Sequence, residues 1–160
     1  MERTKRKYFY EVVTESQKSE FIDGEIVVHS PVKLIHNLVS NNLFILLKSF
    51  VKKNNLGFVG FKKILVNLSR NDYEPDLCFF HKEKSSLFKP KQMFFPAPDL
   101  IVEVISESTE KIDRGIKFED YEFHKVSEYW IINPEDKFVE QYVNIDDKYP
   151  GLDKPVESKS

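Results

Sequence analysis

Leu100-Ile-Val-Glu-Val-Ile105 is an apolar run broken by a single acid, Glu103. A carboxylate in such a place costs several kcal/mol unless something compensates it. Strand alternation sets Asp99, Ile101, Glu103 and Ile105 on one face, with Leu100, Val102 and Val104 on the other. Asp76 is a second case: it follows Glu74-Pro75 and opens the apolar stretch Leu77-Cys-Phe-Phe80. Neighbouring strands lie about 4.8 Å apart, so the two acids converge if these segments pair. Converging carboxylates repel each other unless they share a proton or a cation. A hard divalent ion such as Mg²⁺, held by one or two carboxylates and several waters, fits that need.

Each candidate also has a plain structural reading. Asp99, just after Pro98, reads best as a strand-entrance group that accepts backbone N–H bonds or pairs with a lysine. For Asp76 both readings stay open, whereas mid-strand Glu103 favours the functional one, because carboxylates are rarely buried without a partner. Lys117 stands four residues after Asp113 and four before Tyr121, which alone describes an i,i+4 surface pair. His36, beside Ile35 and Val39, reads as a core-edge side chain. His29, His81 and His124 lack metal-ligand spacing. No Gly-x-Ser-x-Gly elbow, phosphate loop or dinucleotide fingerprint is present, and Cys78 reads as inert packing.

The elements that must position these groups follow from periodicity. Phe21 to Val28 reads as a hairpin turning at Asp23-Gly24. Val32 to Lys53 is expected to form the long helix, its stripe being Ile35, Val39, Leu43, Leu46 and Phe50. Phe58–Leu68 and Asp76–Phe80 have strand character, with a turn at 69–72 between them, and 81–98 is a lysine-rich excursion. Leu100–Ile105 is a buried strand, Lys111–Lys125 a helix capped by Ser108-Thr109-Glu110, and Glu128–Asn133 and Phe138–Val143 two further strands. The expectation is an α/β domain on one mixed sheet over residues 1–143, with a polar tail at 144–160 that frays.

The chain has 160 residues, 41% of them hydrophobic and 31% charged, which excludes a disordered or collagen-like polymer. One cysteine excludes an internal disulfide framework and a cysteine-based zinc finger. The opening MERTKRKYFYEVV has no apolar core after its charges, and no run approaches 18 apolar residues, so neither a secretion signal nor a membrane span is expected. These features predict a cytoplasmic protein. The formal charge of −2 is uneven: residues 1–91 carry +6 and residues 92–160 carry −8. The plainest account is two solvated surfaces of opposite sign, although a basic half can also meet a polyanion.

With Pro75-Asp76, Glu103 and a lysine in view, the sequence resembles the PD-(D/E)XK nuclease superfamily. It is most similar to the Uma-two family of restriction-endonuclease-like proteins. The matching stretches are Glu20-Phe-Ile-Asp-Gly-Glu-Ile-Val27, Ser30-Pro31 with His36-Asn37, Glu74-Pro-Asp-Leu77 and Ala97 to Ser106. Ser108-Thr109, then Asp113, Lys117 and Tyr121, and finally Glu128 to Pro134 complete the set, which spans about residues 20–143. The resemblance implies a central mixed sheet flanked by helices, with Asp76 and Glu103 as metal ligands and the carbonyl of Val104 as another. Ile105 stands where the superfamily lysine belongs, so the resemblance points to Lys117 as its replacement. It also implies an acidic contact from Glu20 or Glu25 and a cleft lined by His36. The tail after Val143 looks short for the family.

The function so implied is Mg²⁺- or Mn²⁺-dependent hydrolysis of phosphodiester bonds in nucleic acid, DNA above RNA, by a protein able to form homodimers. Asp76, Glu103 and Lys117 would be catalytic, with Glu20, Glu25, His36, Asp99 and Asp113 about the cleft. Lys48, Lys52, Lys53, Lys62, Lys63 and the 82–91 loop would follow the phosphate backbone. The alternatives are a non-catalytic module that binds nucleic acid or protein, and a hydrolase of small phosphorylated substrates.

Overall fold

The structure, a computed structural model, describes residues 2–14, 16–150 and 156–157. A helix α1 (Glu2–Val12) precedes the hairpin β1 (Ser19–Ile22) and β2 (Glu25–Val28), which turns at Asp23 and Gly24 with φ of 49° and 81°. These angles are those of the tight primed turn that Asp-Gly favours. The long helix α2 (Leu34–Lys53) leads into β3 (Gly57–Phe61). Gly57 has φ of 149°, and a Cβ there would stand 2.0 Å from the Phe80 carbonyl oxygen, so no side chain fits.

The segment 58–68 is two strands, not one. Lys62 and Lys63, with φ of 49° and 52°, turn the chain out of β3 and into β4 (Leu65–Asn67) of a different sheet. There follow β5 (Asp72–Tyr73), β6 (Leu77–His81), the short α3 (Lys82–Ser85), β7 (Phe94–Phe95) and β8 (Leu100–Val104). The expected helix after β8 is split at Gly115 into α4 (Glu110–Arg114) and α5 (Ile116–Phe123). The described chain closes with β9 (Glu128–Asn133), β10 (Phe138–Val143) and β11 (Val156–Glu157).

Two mixed sheets result where one was expected. The central six-stranded sheet has the order β11-β10-β9-β8-β6-β3, and a five-stranded sheet has the order β2-β1-β5-β4-β7. In the centre β8 runs parallel to β9 and antiparallel to β6. One face of the central sheet, with Leu77, Leu100, Val102 and Val104, is covered by Val39, Leu43, Phe44, Leu47 and Val51 of α2. The other face, with Cys78, Ile101 and Ile131, packs on Tyr121 of α5 and on Ile22, Val66 and Tyr73 of the second sheet. This is a restriction-endonuclease-like α/β fold, a central mixed sheet flanked by helices.

The stripe of α2 differs from the one read by periodicity. Ile35, Leu46 and Phe50 are exposed, while His36, Ser40 and Val51 are buried. Apolar residues lie nearly all round this helix, so spacing alone does not choose the inward side. By length and composition α2 would also suffice to cross a membrane. In this fold it lies against β3 and β8. The segment expected to fray from Asn144 stays on the body as far as Pro150: Tyr149 is buried and donates its hydroxyl to the Val126 carbonyl at 2.7 Å.

Candidate active site

The pairing of β6 with β8 joins Leu77 to Val102, so continuing that register by one residue sets Asp76 opposite Glu103. The backbone N–H of Val104 donates to Asp76 Oδ2 at 2.9 Å, a bond that ties the first acid to the second acid's strand. Both acids are buried, and both line a cavity of about 310 Å³ together with Lys18, His36, Asp113 and Lys117. Val104 lines it too.

Lys117 enters this face from α5. Its Nζ lies 2.9 Å from Glu103 Oε1, 3.1 Å from Glu20 Oε1 and 3.2 Å from Asp113 Oδ1. The first of these is a well-aligned hydrogen bond, whereas Asp113 Oδ1 keeps no aligned donor despite the short ionic contact. The helix is held in place by Asp120, whose carboxylate accepts bonds from Arg70, Asn71 and Tyr73 at 2.6–2.8 Å. Glu103 Oε1 also accepts the Tyr121 hydroxyl at 3.2 Å. Glu20, from β1, accepts the Glu74 N–H at 2.8 Å and pairs with His29 Nε2 at 2.8 Å.

The electrostatics follow from two lysines, Lys117 and Lys18, among four acids. Burial pushes the Glu103 carboxyl up to about 8, with Asp113 and Asp76 adding to the rise and Lys117 opposing it. For Glu20 burial also works upward, but Lys117, the His29 bond and Lys18 outweigh it and hold it down to about 2. Asp76 behaves likewise: burial opposes its ionisation, yet His36, Lys18 and the Val104 N–H keep it below the usual carboxylate range. Lys117 is held well above its ordinary value, because the surrounding carboxylates outweigh the cost of burying it.

Of the residues singled out in the sequence, the structure gathers Asp76, Glu103, Val104, Lys117, Asp113, His36 and Glu20. His36 Nε2 stands 3.2 Å from Asp76 Oδ2, so the core-edge histidine is also a partner of the site. Two residues are not brought there. Glu25 is exposed on the outer strand of the second sheet and pairs with Lys5 at 2.5 Å. Asp99, at the opposite end of β8, accepts the His81 N–H and the Lys84 ammonium, each at 2.8 Å. Lys63 is engaged elsewhere, by Glu74 and the backbone of Thr14 and Gln17. Two side chains of the site carried no signal in the sequence, Lys18 and His29, because both are brought to it only by the pairing of the hairpin with the body.

The donor set can be tested against the implied metal. Two carboxylates on adjacent strands stand over a cavity, and Asp76 is kept ionised. Among the described residues no group of three or more His, Cys, Asp or Glu side chains gathers to cage an ion. That set does not suit structural zinc, which takes four protein ligands. It fits a hard cation that retains most of its waters.

Comparison with known proteins agrees with this fold. A sequence model of the Uma2 family, described as "Putative restriction endonuclease", matches residues 7–155. The chain belongs to the Uma2 family. It is 29% identical over 147 residues to an uncharacterized protein of Synechocystis, sll1609, covering 91% of this chain and 82% of that protein. It is also similar in fold to a crystal structure from Anabaena variabilis titled a putative nuclease of the DUF820 group. That match has a TM-score of 0.75 and 18% identity, over 84% of this chain and 76% of the other. For this Uma2 protein, membership makes nucleic acid the substrate class that the family description implies.

Proposed function

We propose that this Uma2 protein is a metal-dependent endonuclease that hydrolyses phosphodiester bonds of nucleic acid, DNA above RNA. The observation that carries the reading is the placement of Asp76 opposite Glu103 at one end of β6 and β8, over a cavity and in front of a buried lysine. Asp76 and Glu103, with the backbone of Val104, would hold Mg²⁺ or Mn²⁺. Such an ion supplies Lewis acidity toward water and toward a phosphate oxygen.

The remaining roles belong to the chain. Asp76 is ready to receive a cation, being already ionised and oriented by the Val104 N–H and His36. Lys117, 2.9 Å from Glu103, favours its anionic form against the cost of burial and fixes its position. Glu20 pairs with Lys117 at 3.1 Å and is itself held by His29 and the Glu74 N–H. Val27, Ile35 and Ile112 supply apolar walls to the cavity.

One observation favours the rival reading, a non-catalytic module that binds nucleic acid or protein. Ile105 is buried in the apolar core, so that position offers no cation to the cleft. The experiment that separates the two is incubation with Mg²⁺ or Mn²⁺ and plasmid, single-stranded DNA or RNA, beside Asp76→Ala and Glu103→Ala. Cleavage by the wild type alone supports the enzyme. Equal cleavage in all three indicates contamination and sinks the proposal, and binding without cleavage favours the module. We assign the cytoplasm as its location, consistent with a single buried thiol, Cys78, whose pKa burial raises. A homodimer is supported by the exposed apolar residues of α2, Leu38, Ile45, Leu46 and Phe50.

A further inference from the structure

Lys18 lies just before β1, and its backbone is pinned in the hairpin, where its carbonyl accepts the His29 N–H at 3.0 Å. Its Nζ stands 3.4 Å from Asp76 Oδ1, and its side chain keeps 29% of its exposure. No other ion pair engages it among the described residues. It lines the same cavity as Asp76, Glu103 and Lys117.

The two lysines differ in what they have left to give. An ammonium has three donors. Lys117, 2% exposed, already meets carboxylate oxygens of Glu103, Glu20 and Asp113 within 3.2 Å. A phosphate approaching it would have to displace one of these anions and lie against the others, which like-charge repulsion opposes. Lys18 has one long contact, open access to the cavity and donors to spare. Its single partner, moreover, is the carboxylate that the nuclease reading assigns to a metal.

We propose that Lys18, and not Lys117, is the lysine that contacts the scissile phosphate, and that without metal it stands beside Asp76 as the resident cation. The proposal rests on the nuclease reading above and adds a substrate-contacting residue to it. Two cations cannot both sit on one carboxylate without mutual repulsion. Lys18 therefore competes with a divalent ion at Asp76, while it attracts the anionic substrate into the same cavity. One substitution then has effects of opposite sign, which a merely structural role would not produce.

The test uses the full chain as wild type, Lys18→Met and Lys18→Arg. Mn²⁺ is titrated by calorimetry, and a short fluorescein-labelled single-stranded DNA oligonucleotide by anisotropy in Ca²⁺. In Lys18→Met, Mn²⁺ binding tightens about threefold, the worth of one partly exposed ion pair. Oligonucleotide binding weakens about tenfold, the worth of one charge-assisted hydrogen bond. Lys18→Arg keeps most of the oligonucleotide affinity. If Lys18→Met binds the oligonucleotide as the wild type does, or binds Mn²⁺ more weakly, the role of Lys18 is overturned while the nuclease reading stands. If the wild type binds neither probe, both readings fall. Lys18→Gln, chosen at an unchanged melting temperature, gives the same two signs even where methionine disturbs the hairpin.

Discussion

The ammonium of Lys117 on α5 and Oε1 of Glu103 on β8, 14 positions apart in sequence, lie 2.9 Å apart with both side chains out of solvent. Removing one member of such a pair costs more than removing both, since it leaves a buried charge unmatched. Lys117→Met is expected to lose about 3–5 kcal/mol of stability. Adding Glu103→Gln should return at least about 1 kcal/mol of that loss. Urea denaturation of the four proteins of the cycle measures it, and strictly additive losses would show that the two groups do not act together.

Glu20 sets a pH dependence. Its carboxyl is depressed from 4.5 to about 2 in the folded chain, by Lys117, His29 and Lys18 against the cost of burial. The unfolded chain therefore binds the proton more readily between these values. The associated stability is complete above about 4.5 and disappears as pH falls through about 2. Its size follows from the shift, roughly 3 kcal/mol. Glu20→Gln should cost about that much at pH 7, and the gap from wild type should narrow steadily on acidification. Denaturation midpoints across this window decide it; a gap of constant width contradicts the assignment.

Asp76 offers a cleaner probe of the metal than its deletion does. In Asp76→Asn one carbonyl oxygen remains to accept the Val104 N–H, so the strand junction is retained while the charge is lost. Calorimetric Mn²⁺ affinity should fall by at least about tenfold, with cleavage abolished, while the folded chain melts lower because the Lys18 and His36 contacts are lost with the charge. Undiminished Mn²⁺ binding would place the ion elsewhere.

Leu46 and Phe50 keep 68% and 59% of their exposure on the outer side of α2. If that side joins two copies, Leu46→Lys with Phe50→Lys turns a dimer into a monomer by light scattering. Stability of each subunit should stay within about 0.5 kcal/mol, as for other surface changes. A wild type that is monomeric at every concentration rules this dimer out.

What could be read from sequence followed the strength of the local signal. Glu103 stood out as the lone acid of an apolar strand, and Asp23-Gly24 marked its turn without ambiguity. Glu20 could not be ranked above Glu25, because both belong to one hairpin and only the pairing of β1 with β5 decides which is enclosed. The strand read over 58–68 concealed a change of sheet, since lysines at positive φ leave no compositional trace. Gly115 is tolerated inside many helices at a cost of about 1 kcal/mol, and so did not announce the break before α5. Lys18 and His29 are neighbours of the site only in three dimensions.

Glu20, Asp76, Glu103 and Lys117 are contributed by four elements scattered over nearly a hundred residues, and each needs the others to be tolerable away from water. A nascent chain that has emerged only as far as β8 therefore presents acids without their lysine, exposed and unassembled. Docking of α5 completes the charge cluster and the cleft in the same event. On the nuclease reading, a product truncated before α5 lacks the lysine that completes the site.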